Sequence, residues 1–172
     1  MRLTNIVYSA NIRCTIDLQM LCQRVENARY HPQRFPALIW KDSHFGGNCL
    51  VFSNGKINCN GRAATFREGR RRLKQYARRL LHFYPHGKLT DVKRLTASAC
   101  HELSGSLILD NLAREAKASF HPEIFPALVL KKEGVTFSCF HSGKIIITGI
   151  KRTKDLDRIV YPTIIELELY TT

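Results

Sequence analysis

One eleven-residue segment occurs twice in the chain, and this duplication limits the available folds more than any other feature. His31-Pro32-Gln33-Arg34-Phe35-Pro36-Ala37-Leu38-Ile39-Trp40-Lys41 returns as His121-Pro122-Glu123-Ile124-Phe125-Pro126-Ala127-Leu128-Val129-Leu130-Lys131, with seven of eleven positions identical. A second stretch follows each copy: Phe52-Ser53-Asn54-Gly55-Lys56-Ile57 returns as Phe140-His141-Ser142-Gly143-Lys144-Ile145, and Gly61 returns as Gly149. The offset is 90 residues for the first match and 88 for the second, a shortening of two residues between them. Two units of this length are too few and too long for a solenoid. In 172 residues they predict two similar halves, 1–92 and 93–172, built into one pseudo-twofold domain.

Each half reads the same way. In the first, Asn5 to Cys14 is strand-like, and Asp17 is placed to cap a helix carrying Leu18, Leu21, Cys22 and Val25 at helical spacing. Phe35–Lys41, Cys49–Phe52 and Lys56–Gly61 are β-rich. A long helix runs from Thr65 to Phe83, with Leu73, Tyr76, Ala77, Leu80 and Leu81 on one apolar face. In the second half a strand covers Lys93–Cys100 and a helix begins near Asp110. Strands then span Phe125–Lys131, Val135–Phe140 and Lys144–Gly149. A last helix starts near Thr153 and is bent or interrupted at Pro162. The expected fold is α+β, two copies of β-α-β-β-β-α with antiparallel sheets. The turn at Asn54-Gly55 fits a two-residue type I′ hairpin or a three-residue loop, Ser53-Asn54-Gly55, with glycine left-handed. The longer loop pairs Phe52 with Lys56 and aims Leu50, Phe52, Asn58 and Asn60 to one side.

Charge narrows the partners. Lys and Arg total 27 against 14 acids, a net +13, which points to a polyanion such as nucleic acid or an anionic membrane surface. The excess is uneven, +11 in residues 1–92 and +2 in residues 93–172. Seven basic residues lie between Arg67 and Arg79. No apolar run approaches the roughly 20 residues that cross a bilayer, and Met1-Arg2-Leu3-Thr4-Asn5 does not resemble a signal peptide. Cys14, Cys22, Cys49, Cys59, Cys100 and Cys139 form no CxxC pair and read as buried thiols in a reducing compartment. No HExxH, GxSxG or P-loop is present, so the chain reads as no enzyme, with no catalytic residue, metal or cofactor.

The order of motifs carries a resemblance. Asn5-Ile6-Val7, Asp17-Leu18, Asn27-Ala28-Arg29-Tyr30-His31-Pro32-Gln33-Arg34-Phe35, Val51-Phe52-Ser53-Asn54-Gly55-Lys56 and Tyr76-Ala77-Arg78 stand in the first half. Pro122-Glu123-Ile124-Phe125-Pro126, Phe140-His141-Ser142-Gly143-Lys144 and Thr148-Gly149 stand in the second. From about Thr4 to Tyr170 the chain resembles the conserved core of the TATA-box-binding protein family, as a divergent member or a paralogue. The resemblance implies a saddle of two β-α-β4-α-type repeats: a curved antiparallel sheet lies over the DNA minor groove and helices cover the convex back. It favours the three-residue loop.

It also implies roles for residues. Phe35, Phe52, Phe125 and Phe140 match the rings that this family inserts between base pairs. Asn5, Val7, Leu50, Asn58, Asn60, Thr96, Ala97, Ser138, Ile146 and Thr148 match the groove floor. Arg34, Lys41, Lys56, Arg62, Lys131, Lys144 and Lys151 match phosphate contacts. Arg67, Arg70, Arg71, Lys74 and Arg78 on the long helix, with His121, Glu123 and Ile124 before Phe125, match surfaces for protein partners. The implied partners are A/T-rich promoter DNA, TFIIB-type and TFIIA-type factors, and associated factors or regulators on the basic helix. No membrane is implied. The implied compartment is the nucleus, or the cytoplasm of an archaeon or a viral transcription compartment.

The floor departs from the family pattern. The second half is one residue short near Leu95-Thr96-Ala97 and lacks the family's asparagine, with Thr96 or Leu95 in its place. Asn58 and Asn60 stand where an apolar residue and a threonine are usual, and Ser138 replaces an aliphatic residue. The expectation is an altered or relaxed sequence preference. His121 replaces an expected acid beside Glu123. A TBP-like paralogue acting mainly as a platform or competitor for TFIIA/TFIIB-type factors is the alternative function.

Overall fold

The computed structural model describes residues 1–116 and 118–172. The chain divides into two compact units, Asn5–Leu95 and Met1–Thr4 with Thr96–Thr172.

In the first unit the strands are β1 (Arg2–Asn11, of which Asn5 onward belongs here), β2 (Ala28–Arg29), β3 (Ala37–Trp40), β4 (Asn48–Phe52) and β5 (Lys56–Gly61). They lie in the order β2-β3-β4-β5-β1, each pair antiparallel. Alternation sends Ile6, Tyr8, Leu38, Trp40, Val51 and Ile57 to a covered face, where all are buried. Helix α1 (Leu18–Arg24) starts at Asp17, whose side chain accepts the Met20 N–H at 3.0 Å, as the cap position predicts. Helix α2 (Phe66–Phe83) is capped by Thr65, which accepts from the Glu68 N–H, while Glu68 accepts from the Ala64 N–H. It buries Gly69, Leu73, Tyr76, Ala77 and Leu80 against the sheet. A Cβ on Gly69 would lie 3.0 Å from the Ile6 side chain, so a bare backbone sets how closely helix and strand approach. Trp40 and Phe45 pack edge-on to the Tyr76 ring, at 5.0 and 5.1 Å between centroids. The Tyr76 hydroxyl accepts the Asp42 N–H and donates to the Gly46 carbonyl. Burial pushes that hydroxyl up to about 12, so it stays a donor.

In the second unit β6 (Thr90–Glu102, of which Thr96 onward belongs here), β7 (Ala127–Lys132), β8 (Val135–Phe140) and β9 (Lys144–Ile150) run in the order β6-β9-β8-β7, again antiparallel. Helix α3 (Leu109–Ala116) packs near β7. The last helix is one helical run from Lys154, with a π-turn over Leu156–Val160 leading into α4 (Tyr161–Glu168). Pro162 lies just past the π-turn, whose widened hydrogen-bond pattern accommodates its missing N–H, so the helical run continues through it.

The differences from the expected elements are local. β1 begins at Arg2 and ends at Asn11, because Arg13 adopts a left-handed φ of +53° that no strand continues through. Phe35 and Phe125 precede their strands rather than opening them. A fifth strand, β2, pairs Ala28 with Trp40 in the first unit. Its counterpart is a single bridge, Ser119 to Val129. The hairpin between β4 and β5 pairs Leu50 with Asn58 and Val51 with Ile57, which is the register of the three-residue loop. Cys49 and Cys59 face each other across this pair, both buried.

Candidate nucleic-acid interface

Two aromatic pairs stand at matching places. The backbone N–H groups of Arg34 and Phe35 both donate to the His31 carbonyl, at 2.9 and 3.0 Å. Those of Ile124 and Phe125 donate to the His121 carbonyl, both at 2.9 Å. This one-turn geometry, with a proline following, lifts each phenylalanine off the sheet before the next strand starts. Phe35 then meets Phe52 with ring centroids 6.5 Å apart and planes at 61°. Phe125 meets Phe140 at 6.1 Å and 69°. Phe35 is 39% and Phe125 44% exposed. Solvent-facing aromatic pairs of this kind mark a surface built for a partner.

The turns after Phe52 and Phe140 are also matched. Gly55 donates to the Phe52 carbonyl and Gly143 to the Phe140 carbonyl, both at 3.0 Å. Their φ values are +85° and +81°. A Cβ would lie 2.5 Å from the Cys14 carbonyl oxygen at Gly55 and 2.2 Å from that of Gly105 at Gly143. Only glycine fits either place.

The open face between these features differs from unit to unit. In the first, Val7 pairs with Asn60, and Asn58 lies between Ser9 and Leu50. The Asn5 Oδ1 accepts the Gly61 N–H at 2.9 Å. Asn48, which the sequence reading missed, lies opposite Asn60, and its Nδ2 donates to the Asn60 Oδ1 at 3.4 Å. The loop register held the clue, because two residues before Leu50 must oppose two residues after Asn58. The Asn58 Oδ1 is buried with no hydrogen-bond partner among the described residues.

In the second unit Ser138 pairs with Ile146 and Thr136 with Thr148. Thr96 is half-buried. Ala97 does not belong to this face: it is 1% exposed and pairs with Ile150 on the covered side. The register shifts between Ala97 and Ala99, which pair with Ile150 and Ile147. Two steps on β6 oppose three on β9, the structural trace of the missing residue. The open-face neighbour of Ile146 is Cys100, also missed, whose sulfur accepts from Arg2 at 3.8 Å.

The basic side chains fall into two groups. Arg34, Lys41, Lys56, Arg62, Lys131 and Lys144 are exposed and make no ion pair among the described residues, and Lys151 is exposed at the end of β9. On α2, Arg67, Arg70, Arg71, Lys74 and Arg78 line a groove of about 400 Å³. Arg72 is not part of that face: it turns inward to donate to the Phe45 and Arg62 carbonyls. Arg79 lies over the Phe83 ring. His121, Glu123 and Ile124 stand exposed on the turn before Phe125, with Ile124 81% exposed.

The sequence profile described as "Transcription factor TFIID (or TATA-binding protein, TBP)" matches residues 1–83 and 95–168. The chain belongs to the TATA-binding protein family. It is 31% identical over 160 residues to the mouse protein "TATA box-binding protein-like 2", covering 90% of this chain and 45% of that one. It is 31% identical over 154 residues to the "TATA-box-binding protein" of Xenopus tropicalis, covering 87% and 52%. The chain thus spans about half the length of these vertebrate relatives. The solved structure titled "Methanococcus jannaschii TBP" matches with a TM-score of 0.81 and 29% identity over 98% of both chains. Its likeness confirms the α+β fold of the family. The family whose profile matches is described as one of transcription factors. No cluster of three or more His, Cys, Asp or Glu suited to a metal occurs among the described residues. No helix among them is long and apolar enough to cross a membrane.

Proposed function

We propose that the chain binds double-stranded promoter DNA in its minor groove and kinks it by inserting Phe35 with Phe52 at one end and Phe125 with Phe140 at the other. The observation that carries this reading is the two matched ring pairs at 6.5 and 6.1 Å, each with one exposed ring, Phe35 or Phe125. A phenyl ring stacks on an exposed base face and holds the opened step, at an unstacking cost on the order of a few kcal/mol that contacts along the bent groove offset. Flexible TA steps open most readily, which gives selectivity without base contacts. The seven lysines and arginines from Arg34 to Lys151 assigned to phosphates supply affinity that falls with salt. The bent complex seats TFIIB-type and TFIIA-type factors through the His121–Ile124 turn and the α2 groove, and so nucleates initiation, in a nucleus or an archaeal cytoplasm.

Bending measured by fluorescence transfer between labelled duplex ends tests this. Phe35→Ala combined with Phe125→Ala removes the bend and weakens binding by about 100-fold or more, given the stacking lost at two steps. Unchanged bending and affinity in that variant defeats the reading. The second reading, a platform that competes for TFIIA/TFIIB-type factors, draws support from the α2 basic row, which makes no ion pair among the described residues, and from the amide-rich floor. It predicts that the same variant keeps its partner binding and that DNA is dispensable.

A further inference from the structure

We propose that the open face of the first unit accepts G·C pairs, by taking the 2-amino group of guanine on asparagine carbonyl oxygens, while the second unit's face rejects them. The inference rests on the minor-groove reading above and specifies what that groove contains.

The minor-groove edge of A·T and T·A shows acceptors only, and guanine's amino group is the one donor that any standard base pair presents there. A floor that excludes guanine fills the space with apolar atoms and leaves that donor unpaired. Ile146 and Thr148 stand on β9 in this manner. The matching positions on β5, at the repeat offset of 88 residues, are Asn58 and Asn60. Each amide holds a carbonyl with two lone pairs and an amino group with two protons. At the Asn58 position, therefore, the first unit places an amide acceptor where the second places the apolar Ile146 side chain.

The hydrogen bonds already made within the first unit assign the acceptors. Asn5 has one lone pair of its carbonyl engaged by the Gly61 N–H at 2.9 Å, a short bond that fixes the orientation of its amide. Asn60 accepts one long bond from Asn48, at 3.4 Å, and keeps its second lone pair. Asn58 carries a carbonyl oxygen with no partner among the described residues. A/T pairs supply no donor to it, because their edges carry acceptors alone. A guanine amino group supplies one. Rotation about the terminal side-chain bond, a broad torsion, turns the oxygen from its buried position toward the open face.

Inosine isolates the group in question, because I·C differs from G·C in the minor groove only by lacking the 2-amino group. The experiment measures dissociation constants by anisotropy for an A/T-rich duplex in which single pairs are replaced by G·C or by I·C, position by position. The end covered by the first unit is marked by Phe35→Ala, which relaxes the kink at that end. Under the first unit, G·C is expected to bind as tightly as I·C or tighter. Under the second unit, G·C is expected to bind about tenfold or more weakly than I·C, the usual scale of a wrong base pair. Asn58→Val with Asn60→Thr is expected to impose the same penalty on the first half, read as the ratio of G·C to I·C dissociation constants within the variant, and a urea unfolding curve shows separately that the variant is folded. An equal G·C penalty in both halves, or a variant that changes nothing, overturns the proposal. Failure to bind any of the duplexes overturns the minor-groove reading itself, a distinguishable result.

Discussion

The two units agree at their loops and disagree on their open faces. Both lift a phenylalanine on a one-turn segment, both set it edge-on to a second ring, and both close the following hairpin with a left-handed glycine. Between these points one unit carries Asn48, Asn58 and Asn60, and the other Ser138, Ile146 and Thr148 beside a shifted register. The loops are held by backbone hydrogen bonds and by contacts that tolerate no Cβ, so the chain itself enforces them. Side chains on the open face are only partly buried, so folding restrains their identity less. Duplicated geometry has persisted where folding demands it and diverged where only a partner would notice.

This comparison can be broken or sharpened by matched substitutions. The largest effect belongs to the rings: Phe35→Ala and Phe125→Ala, made singly, are each expected to weaken DNA binding by about tenfold or more, as one opened step loses its stacking. Equal losses sharpen the equivalence, and a tenfold disparity in bending assays breaks it. Next come the glycines. Gly55→Ala and Gly143→Ala each force a side chain into a left-handed turn against a carbonyl. Each is expected to lower stability by about 1–3 kcal/mol in urea unfolding, with neither half spared. A smaller effect separates the two basic groups. Lys56→Ala and Lys144→Ala should each reduce the slope of log affinity against log salt by about 1. Replacing Arg67, Arg70, Arg71, Lys74 and Arg78 with Gln should leave that slope unchanged, since much of the +11 in the first half then serves proteins and not phosphates.

The smallest prediction concerns an ion pair of the second unit. Burial raises the Asp155 carboxyl, but bonds from the Arg152 and Lys151 N–H groups and the Arg152 guanidinium outweigh it and hold it below the usual carboxylate range. A carboxylate depressed in the folded state stabilises above its unfolded pKa and loses that contribution as pH falls through the folded value. Thermal scans from pH 6 downward should therefore show a shallower acid limb in Asp155→Asn than in the parent chain. An identical limb removes Asp155 from the account.

The repeat made most of the fold legible. Once the two copies were aligned, the hairpin register followed from one loop length, and the α2 face from its apolar spacing. What stayed hidden depended on single-residue counts. Ala97 was placed on the wrong face because a one-residue deletion reverses side-chain parity, and the position of the compensating shift is not written in the sequence. Asn48 was missed because its importance arises only across the strand, opposite Asn60. β2 is two residues long and owes its existence to the edge of β3, not to its own pattern. The inward turn of Arg72 is likewise invisible among six basic neighbours, since it is set by the Phe45 and Arg62 carbonyls that the fold brings near.

The facing thiols of Cys49 and Cys59 have a practical consequence. Burial, and then the neighbouring Cys59, push the Cys49 thiol well up, and burial alone pushes that of Cys139 up to about 12. Thiolates are the reactive form, so these sulfurs resist alkylation while the sheet is closed. Cys14, Cys22 and Cys100 are partly exposed and label first. A pulse of alkylating reagent followed by peptide mass analysis thus gives the chain two internal clocks. Cys49 and Cys59 time the opening of one unit, and Cys139 that of the other. Whether the two halves of this duplication breathe together or apart can be read without attaching any dye.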